Sequence, residues 1–213
     1  MARTHGRSSI DLQRRACDAQ LVIGSRHFQT PLARHLIMRL NSTLGLMKTR
    51  TALPEDLSSV LALNEESVRF LSPLSRARLE ALTEQAAAHW VIEAEGSVAA
   101  FLLAFREGAS YESINYRWFA DRYPSFLYID RVVVSNSAQG QGLGTALYRA
   151  AFMHAQATLI PVVTCEFDVD PPNPVSASFH AKFGFREVGR QLVAGGKKTV
   201  SLHAASVDGR HEA

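Results

Sequence analysis

The stretch 132–145 constrains the fold more than any other part of the sequence. It reads Val-Val-Val-Ser-Asn-Ser-Ala-Gln-Gly-Gln-Gly-Leu-Gly-Thr, so a β-branched run leads into a glycine-rich turn and then into a helix-forming segment. Backbone N–H groups at the beginning of a helix have no partner within that helix, and glycines let an anion such as a phosphate approach them closely. The stretch therefore predicts a strand–turn–helix unit whose turn binds an anion.

Two common phosphate-binding motifs do not fit this turn. A dinucleotide fingerprint needs Gly or Ala at its last position, where this sequence has Thr145 or Leu147, depending on which glycine is counted first. A nucleoside-triphosphate loop needs Lys before its Ser or Thr, whereas Thr145 directly follows Gly144. The turn therefore favours neither a dinucleotide nor a nucleoside triphosphate.

The segments around this unit predict an α/β fold with a mixed sheet and helices packed on both sides. Strands are predicted at 48–52, 89–95, 97–105, 126–134, 161–168, 186–192 and 199–203, and helices from 54 onward and at 75–88, 142–158 and 174–182. A tight hairpin turn is expected at Glu95-Gly96. The connection 106–125 is predicted to be a long loop, and its many aromatic residues argue against disorder.

Residues 1–46 carry the excess positive charge, with seven Arg, no Lys and only two acidic residues. Two interpretations stay open: an organelle transit peptide, or an extension upstream of a true start at Met47. We therefore expect a basic extension at 1–46 that is poorly ordered, one domain at 47–205 and a tail at 206–213. No segment combines basic and aromatic residues as a nucleic-acid-binding face would, and no apolar run approaches the ~18 residues of a membrane span. Neither nucleic acid nor a membrane is therefore an expected partner.

Two segments of the sequence resemble the GNAT superfamily of acyl-CoA N-acyltransferases. The pattern Q-x-x-G-x-G at 139–144, with Val134 five residues before Gln139, resembles the family's pyrophosphate-binding signature. The segment 173–185, Asn-Pro-Val-Ser-Ala-Ser-Phe-His-Ala-Lys-Phe-Gly-Phe, resembles its second motif, N-x-x-A-x-x-[LF]-Y-x-x-x-G-F. The strand at 128–134 and the turn at 170–174 resemble an uncharacterised bacterial subgroup. The resemblance implies the GNAT fold, with acetyl-CoA as acyl donor.

The resemblance also implies which residues bind the cofactor. The strand before the turn would pair with the pantetheine arm, a backbone N–H near Val134 would polarise the thioester carbonyl, and the turn would hold the pyrophosphate. Asn173 would bond to the pantetheine, or act only as a helix cap. The implied cofactor-binding residues are Val132, Val133, Val134, Gln139, Gly140, Gln141, Gly142, Leu143, Gly144, Thr145 and Asn173.

Candidate catalytic residues follow from the same resemblance. His180 stands where the family usually has the Tyr thought to protonate the departing thiolate, so it is either a general acid or a packing residue. Glu166 is the first candidate for the base that deprotonates the amine. Asp130 is the second, expected on the same strand face as Val132 and Val134. Either carboxylate can instead be held in an ion pair, for example with Arg131, and a mechanism without a dedicated base also stays open.

The acceptor side is less defined by the sequence. Tyr116, Trp118 and Tyr128 are expected to line the acceptor site; the alternative for the loop aromatics is a small satellite core. The histidines show no metal-binding spacing, so no metal is expected, and Cys17 and Cys165 match no disulfide pattern, which favours the cytoplasm. The predicted function is acetyl transfer to a primary amine of a small molecule or peptide, and a homodimer stays open. The alternative is a non-catalytic acyl-CoA sensor.

Overall fold

The computed structural model describes residues 48–69 and 71–208, which form a seven-stranded sheet with helices on both faces. The strands are β1 (Thr49–Thr51), β2 (Ala88–Ala94), β3 (Ser97–Arg106), β4 (Leu127–Val134), β5 (Val162–Asp170), β6 (Arg186–Val193) and β7 (Lys198–Ser206). The α-helices are α1 (Leu57–Glu66), α2 (Arg76–Gln85), α3 (Ile114–Ala120), α4 (Leu143–Ala157) and α5 (Pro174–Ala181). The predictions for 1–46 lie outside the described residues.

The strand order is β1-β2-β3-β4-β5-β7-β6. All neighbours are antiparallel except β4 and β5, which run parallel because α4 connects them. The predicted hairpin between β2 and β3 is confirmed, with positive φ angles of 52° at Glu95 and 79° at Gly96. The mixed α/β sheet predicted from the sequence is therefore confirmed. No helix among the described residues is both long and apolar enough to cross a membrane.

The segment predicted as one long loop, 106–125, contains a helix. Ser113 caps α3 by accepting a hydrogen bond from the backbone N–H of Tyr116. Tyr116 and Phe119, three residues apart on one helix face, are buried in an aromatic cluster with Phe105, Phe126 and Tyr128. Burial of these rings stabilises a helix of only seven residues, which on its own would be too short to be stable in water.

Three groups of buried side chains fill the space between the sheet and its helices. The first lies where α4 packs and includes Leu147 and Ala151, with Phe179 of α5 packed against it. The second is the aromatic cluster around α3. The third joins α1 and α2 to side chains of β2, β3 and β4, through residues such as Val60, Phe101 and Val133. The central strands β3 and β4 are therefore covered on both faces.

Candidate active site

The two parallel strands at the centre of the sheet separate soon after they meet. Leu127 pairs with Val163 and Tyr128 with Thr164, and β4 and β5 form no further pairs in the described part of the chain. The remaining length of β4 pairs only with β3, and that of β5 only with β7. The facing edges beyond these two pairs therefore offer backbone N–H and C=O groups to an extended ligand, which can bind as an added strand.

The glycine-rich turn lies at the open end of this split. Gly140 and Gly142 have φ angles of 76° and 86°, a left-handed conformation that side chains disfavour. The first hydrogen bond of α4 runs from the N–H of Ala146 to the carbonyl of Gly142, at 3.0 Å. Within the described residues, the backbone N–H groups of 139–145 have no acceptor.

The turn, the end of β4 and α5 lie close together. A Cβ on Gly144 would contact the ring of Phe179 at 3.5 Å and a methyl of Val134 at 3.7 Å. Seven unpaired donors thus stand at a helix N-terminus beside a free strand edge, which is a suitable site for an anion attached to an extended chain. The predicted residues 132–134 and 139–145 are brought together here.

Asn173 caps α5 at the edge of the same region. Its side-chain Oδ1 accepts from the backbone N–H of Ser176 at 3.1 Å, and Pro174 occupies the first helical position. The capping interpretation is therefore observed, and it uses one side of the amide.

Glu166 lies on β5 beyond the last pair with β4, at the split. Its Oε1 accepts hydrogen bonds from the hydroxyl of Tyr128 at 2.8 Å and from Nδ2 of Asn115 at 2.9 Å. Its Oε2 is out of contact with solvent and has no partner among the described residues. Burial, and then the charge of Asp130, raise the pKa of Glu166 to about 8. Glu166 therefore gains and loses its proton near pH 8 rather than near the usual pH of a carboxyl group, and its Oε2 is left without a partner among the described residues.

Asp130 on β4 is the second carboxylate of this cluster. Its Oδ1 accepts from the hydroxyl of Tyr111 at 2.6 Å, and its Oδ2 accepts from Nε of Arg131 at 3.1 Å. Burial raises the pKa of Asp130, and the charge of Arg131 opposes that shift. The predicted ion pair with Arg131 is confirmed. Because Asp130 already holds the buried Arg131, Glu166 is the carboxylate left with an unpaired oxygen.

The strand face predicted for Asp130 is wrong. The register between β3 and β4 shifts at this residue, since Leu103 pairs with Arg131 but Ala104 pairs with Ile129. This β-bulge inverts the alternation, so Val132 and Val134 pack with Ile129 in the group beneath α4. The side chain of Asp130 instead points to Tyr111 and Arg131. The period-two rule fails here because a bulge adds one residue to one strand only.

His180 of α5 is buried against α4, and both of its ring nitrogens form hydrogen bonds. Burial lowers the pKa of His180 to about 4, so the ring is neutral at pH 7. Nδ1 lies 2.7 Å from the carbonyl oxygen of Ser176, which can only accept, so Nδ1 carries the proton. Nε2 then accepts from the hydroxyl of Tyr148 at 2.6 Å. These contacts are those of a structural link between two helices, and they do not support the prediction of a general acid.

The three predicted acceptor residues separate in the structure. Tyr128 belongs to the cluster through its bond to Glu166. Tyr116 is buried, and its hydroxyl donates to the carbonyl of Arg106 at 2.7 Å, which fixes the chain before α3. Trp118 packs against Gly189 of β6, and Cζ of Arg122 lies 4.0 Å from the centroid of its ring. Tyr111 is an aromatic residue of the connection 106–125 that does reach the two carboxylates, through its bond to Asp130. The predicted acceptor residues did not include Tyr111.

Two further residues were missed. Asn115 donates to Glu166, and Gln191 of β6 donates in turn to Oδ1 of Asn115 at 2.9 Å. Asn115 lies 51 residues before Glu166 in the sequence, and Gln191 lies 76 residues after Asn115. No local sequence pattern could therefore reveal these contacts. Cys165 is buried with a raised thiol pKa, as expected for a packing residue. No group of three metal-binding side chains occurs among the described residues.

Comparison with known proteins gives a family match over more than half of the chain. A profile of the acetyltransferase (GNAT) family matches residues 57–185. No curated protein sequence matches the chain.

Solved structures share the fold at low sequence identity. Ard1 from Thermoplasma volcanium has 17% identity and a TM-score of 0.61 over 75% of this chain and 96% of its own. YncA from Salmonella typhimurium, a putative acetyltransferase solved with acetyl-CoA, has 18% identity and a TM-score of 0.58 over 78% and 96%. The ribosomal-protein-S18-alanine N-acetyltransferase from Escherichia coli has 14% identity and a TM-score of 0.57 over 75% and 93%. At these identities, the likeness shows the fold.

Proposed function

The chain belongs to the acetyltransferase (GNAT) family, and we propose that it transfers an acetyl group from acetyl-CoA to a primary amine by direct attack. The observation that carries this proposal is the free Oε2 of Glu166, a carboxylate with a pKa of about 8 at the split of the sheet. An ammonium must lose a proton before its nitrogen can attack a thioester. A carboxylate with that pKa matches the requirement for a general base.

The residues on the other side of the split suit acetyl-CoA, the acyl donor. The unpaired edge of β4 near Val132 and Val134 would bind the pantetheine arm as a strand. The seven unpaired N–H groups of 139–145, reinforced by the dipole of α4, would bind the pyrophosphate. Acetyl-CoA supplies the activated acetyl group as a thioester. An N–H of the β4 edge near Val134 would donate to the thioester carbonyl oxygen and stabilise negative charge there.

The side chains around Glu166 would handle the acceptor. Tyr128 and Asn115 hold Oε1, so Oε2 is the oxygen that takes the proton from the amine nitrogen. Besides burial, the charge of Asp130 raises the pKa of Glu166, and the ion pair with Arg131 compensates the charge of Asp130. The acceptor is therefore proposed to be an aliphatic amine that reaches the site as a cation, from a small molecule or a peptide.

A non-catalytic acyl-CoA sensor is the second candidate, and the buried His180 favours it. The residue at the position where the family usually has its acid is neutral and fully bonded within the protein. A sensor would keep the cofactor side of the split and would need no acid.

Thiol release from acetyl-CoA in the presence of a panel of primary amines tests the proposal. The panel includes a polyamine, free amino acids, a peptide with a free N-terminus and a lysine-containing peptide. We expect at least one amine to stimulate thiol release in a manner that saturates with its concentration. Tight acetyl-CoA binding in calorimetry with no amine-dependent thiol release would favour the sensor instead.

A further inference from the structure

One stripe of helix α3 attaches it to β6, the edge strand of the sheet. Asn115 and Trp118 are three residues apart and therefore share a helix face. On β6, Gly189 and Gln191 are both half-buried and share a strand face. Gln191 donates to Asn115, and the indole of Trp118 lies so close to Gly189 that a Cβ there would be 2.6 Å from its Cζ2. The fit requires glycine at position 189.

The same face of α3 reaches the candidate base. Asn115 donates through Nδ2 to Oε1 of Glu166 at 2.9 Å, while its Oδ1 accepts from Gln191. An amide has one donating and one accepting end. Because Gln191 occupies the accepting end, the donating end is directed to Glu166.

We propose that α3 acts as a clamp and that Asn115 is a positioning residue for Glu166. Gln191 and the contact between Trp118 and Gly189 hold Asn115 in place, and Asn115 holds Oε1 of Glu166, so that Oε2 stays free. The positioning stands on these contacts. Its effect on turnover rests on the proposed function, in which Oε2 takes the proton of the acceptor amine.

The clamp also affects the charge state of Glu166. Hydrogen bonds to a carboxylate favour its charged form, and Asn115 and Tyr128 supply two of them. Burial and the charge of Asp130 act in the opposite direction. Three ionisable groups of β4 act on the pKa of Glu166, namely Tyr128, Asp130 and Arg131. Burial, together with the charge of Glu166, in turn raises the pKa of three further groups around it, namely Tyr111, Tyr148 and Cys165. Loss of the Asn115 hydrogen bond should therefore raise the pKa of Glu166.

A direct titration of Glu166 tests the clamp independently of turnover. The side-chain carboxyl ¹³C resonance of Glu166, assigned by its loss in Glu166→Gln, is followed against pH in the full-length protein. Asn115→Leu should move the midpoint upward by about one pH unit, the size expected for a lost hydrogen bond to a carboxylate. Gln191→Leu, a change at a half-buried residue of the edge strand, should move it in the same direction by less.

The steric half of the clamp has its own test. Gly189→Ala should displace the indole of Trp118 and raise the midpoint. The double variant Gly189→Ala/Trp118→Phe, which removes the clashing atoms, should bring it back towards the wild-type value. A midpoint that stays at the wild-type value in folded Asn115→Leu or, should that variant not fold, in Gln191→Leu would overturn the clamp.

The pH profile of kcat/KM separates this inference from the proposed function. If both hold, the rising limb of the profile moves upward together with the NMR midpoint in Asn115→Leu. A moved NMR midpoint with an unmoved profile would support the clamp and would show that Glu166 is not the base.

Discussion

The two sides of the split between β4 and β5 are built in different ways. On the side of α4, the groups that face the opening are backbone N–H donors of one short segment, 139–145, reinforced by a helix dipole. On the other side they are side chains from four separate elements: β4, β5, α3 and the connection before α3. One side carries partial positive charge and the other holds two carboxylates with a single buried arginine.

This difference predicts different responses to pH and to mutation. The backbone N–H donors on the α4 side do not titrate, so they should cause little change in the affinity for acetyl-CoA between pH 6 and about 9. The carboxylate side contains Glu166, whose pKa is about 8, so turnover should change steeply over the same interval. The α4 side should be most sensitive to changes of backbone shape or added charge, and the carboxylate side to the loss of single polar atoms.

The largest effect is expected for Gly142→Glu on the α4 side. Gly142 has a φ of 86°, and its replacement would add both backbone strain and a negative charge at the proposed pyrophosphate site. We expect the affinity for acetyl-CoA in calorimetry to fall by about 100-fold or more, because the new side chain would occupy the position proposed for the pyrophosphate and its negative charge would repel that group.

Gly142→Ala is the matched control, since it introduces the strain without the charge. It should weaken binding less than Gly142→Glu does. Unchanged affinity in folded Gly142→Glu would mean that the turn does not hold the pyrophosphate, and the contrast between the two sides would disappear.

Glu166→Gln should give the next largest effect, and only on turnover. Removal of a general base typically lowers a rate by ~10²–10⁴-fold, so kcat/KM should fall in that range while acetyl-CoA affinity is retained. In the wild type, kcat/KM should rise as the pH increases through about 8, because Glu166 acts as a base only after it has lost its proton. The rates are measured with one acceptor and corrected for the ionisation of the acceptor amine.

Asp168→Asn is the control for this variant. Asp168 lies two residues from Glu166 on the same strand, but it is paired with Lys198 at 2.8 Å. Its loss should leave the pH profile in place. An equal loss of rate in both variants would point to a general electrostatic effect of this strand.

The smallest effect on turnover is expected for His180→Phe and Tyr148→Phe. Each removes one partner of the buried hydrogen bond between α4 and α5, which should lower the free energy of unfolding by ~1–3 kcal/mol in denaturant titrations. We expect kcat to change by less than about tenfold in both, since neither side chain is free to donate a proton. A loss of about 100-fold in His180→Phe alone would restore His180 as the acid, and His180→Tyr should then recover part of the rate.

The α4 side of the site could be predicted from the sequence because its signals are local. A strand, a glycine-rich turn and a helix follow one another within 132–145, and the turn binds through the backbone, whatever side chains surround it. The order of strands and helices was predictable for the same reason. Helix α3 was missed because its 7 residues are too few to show a repeated helical pattern, although Ser113 followed by Tyr116 and Phe119 was an available cap and packing signal.

The carboxylate side could be predicted only in part. Glu166 and Asp130 stood out as charged groups in predicted buried strands, which are costly unless paired. Asn115 and Gln191 did not, because a single polar residue in a loop or an edge strand has no pattern that indicates a distant partner. The bulge at Asp130 also has no signature in the sequence, and it alone changed the face to which Val132 and Val134 belong.

The short pairing between β4 and β5 also has a mechanical consequence. Two residue pairs join a four-stranded ribbon, β1 to β4, to a three-stranded ribbon, β5 to β7, so hydrogen bonds across this seam add little stiffness to the sheet. The side chains of α4 and α3 pack across the seam on opposite faces of the sheet, so packing as well as hydrogen bonding joins the two ribbons there. An extended molecule hydrogen-bonded along the free edge of β4 would stiffen the sheet at the seam, and its departure would let the two ribbons move more freely against each other.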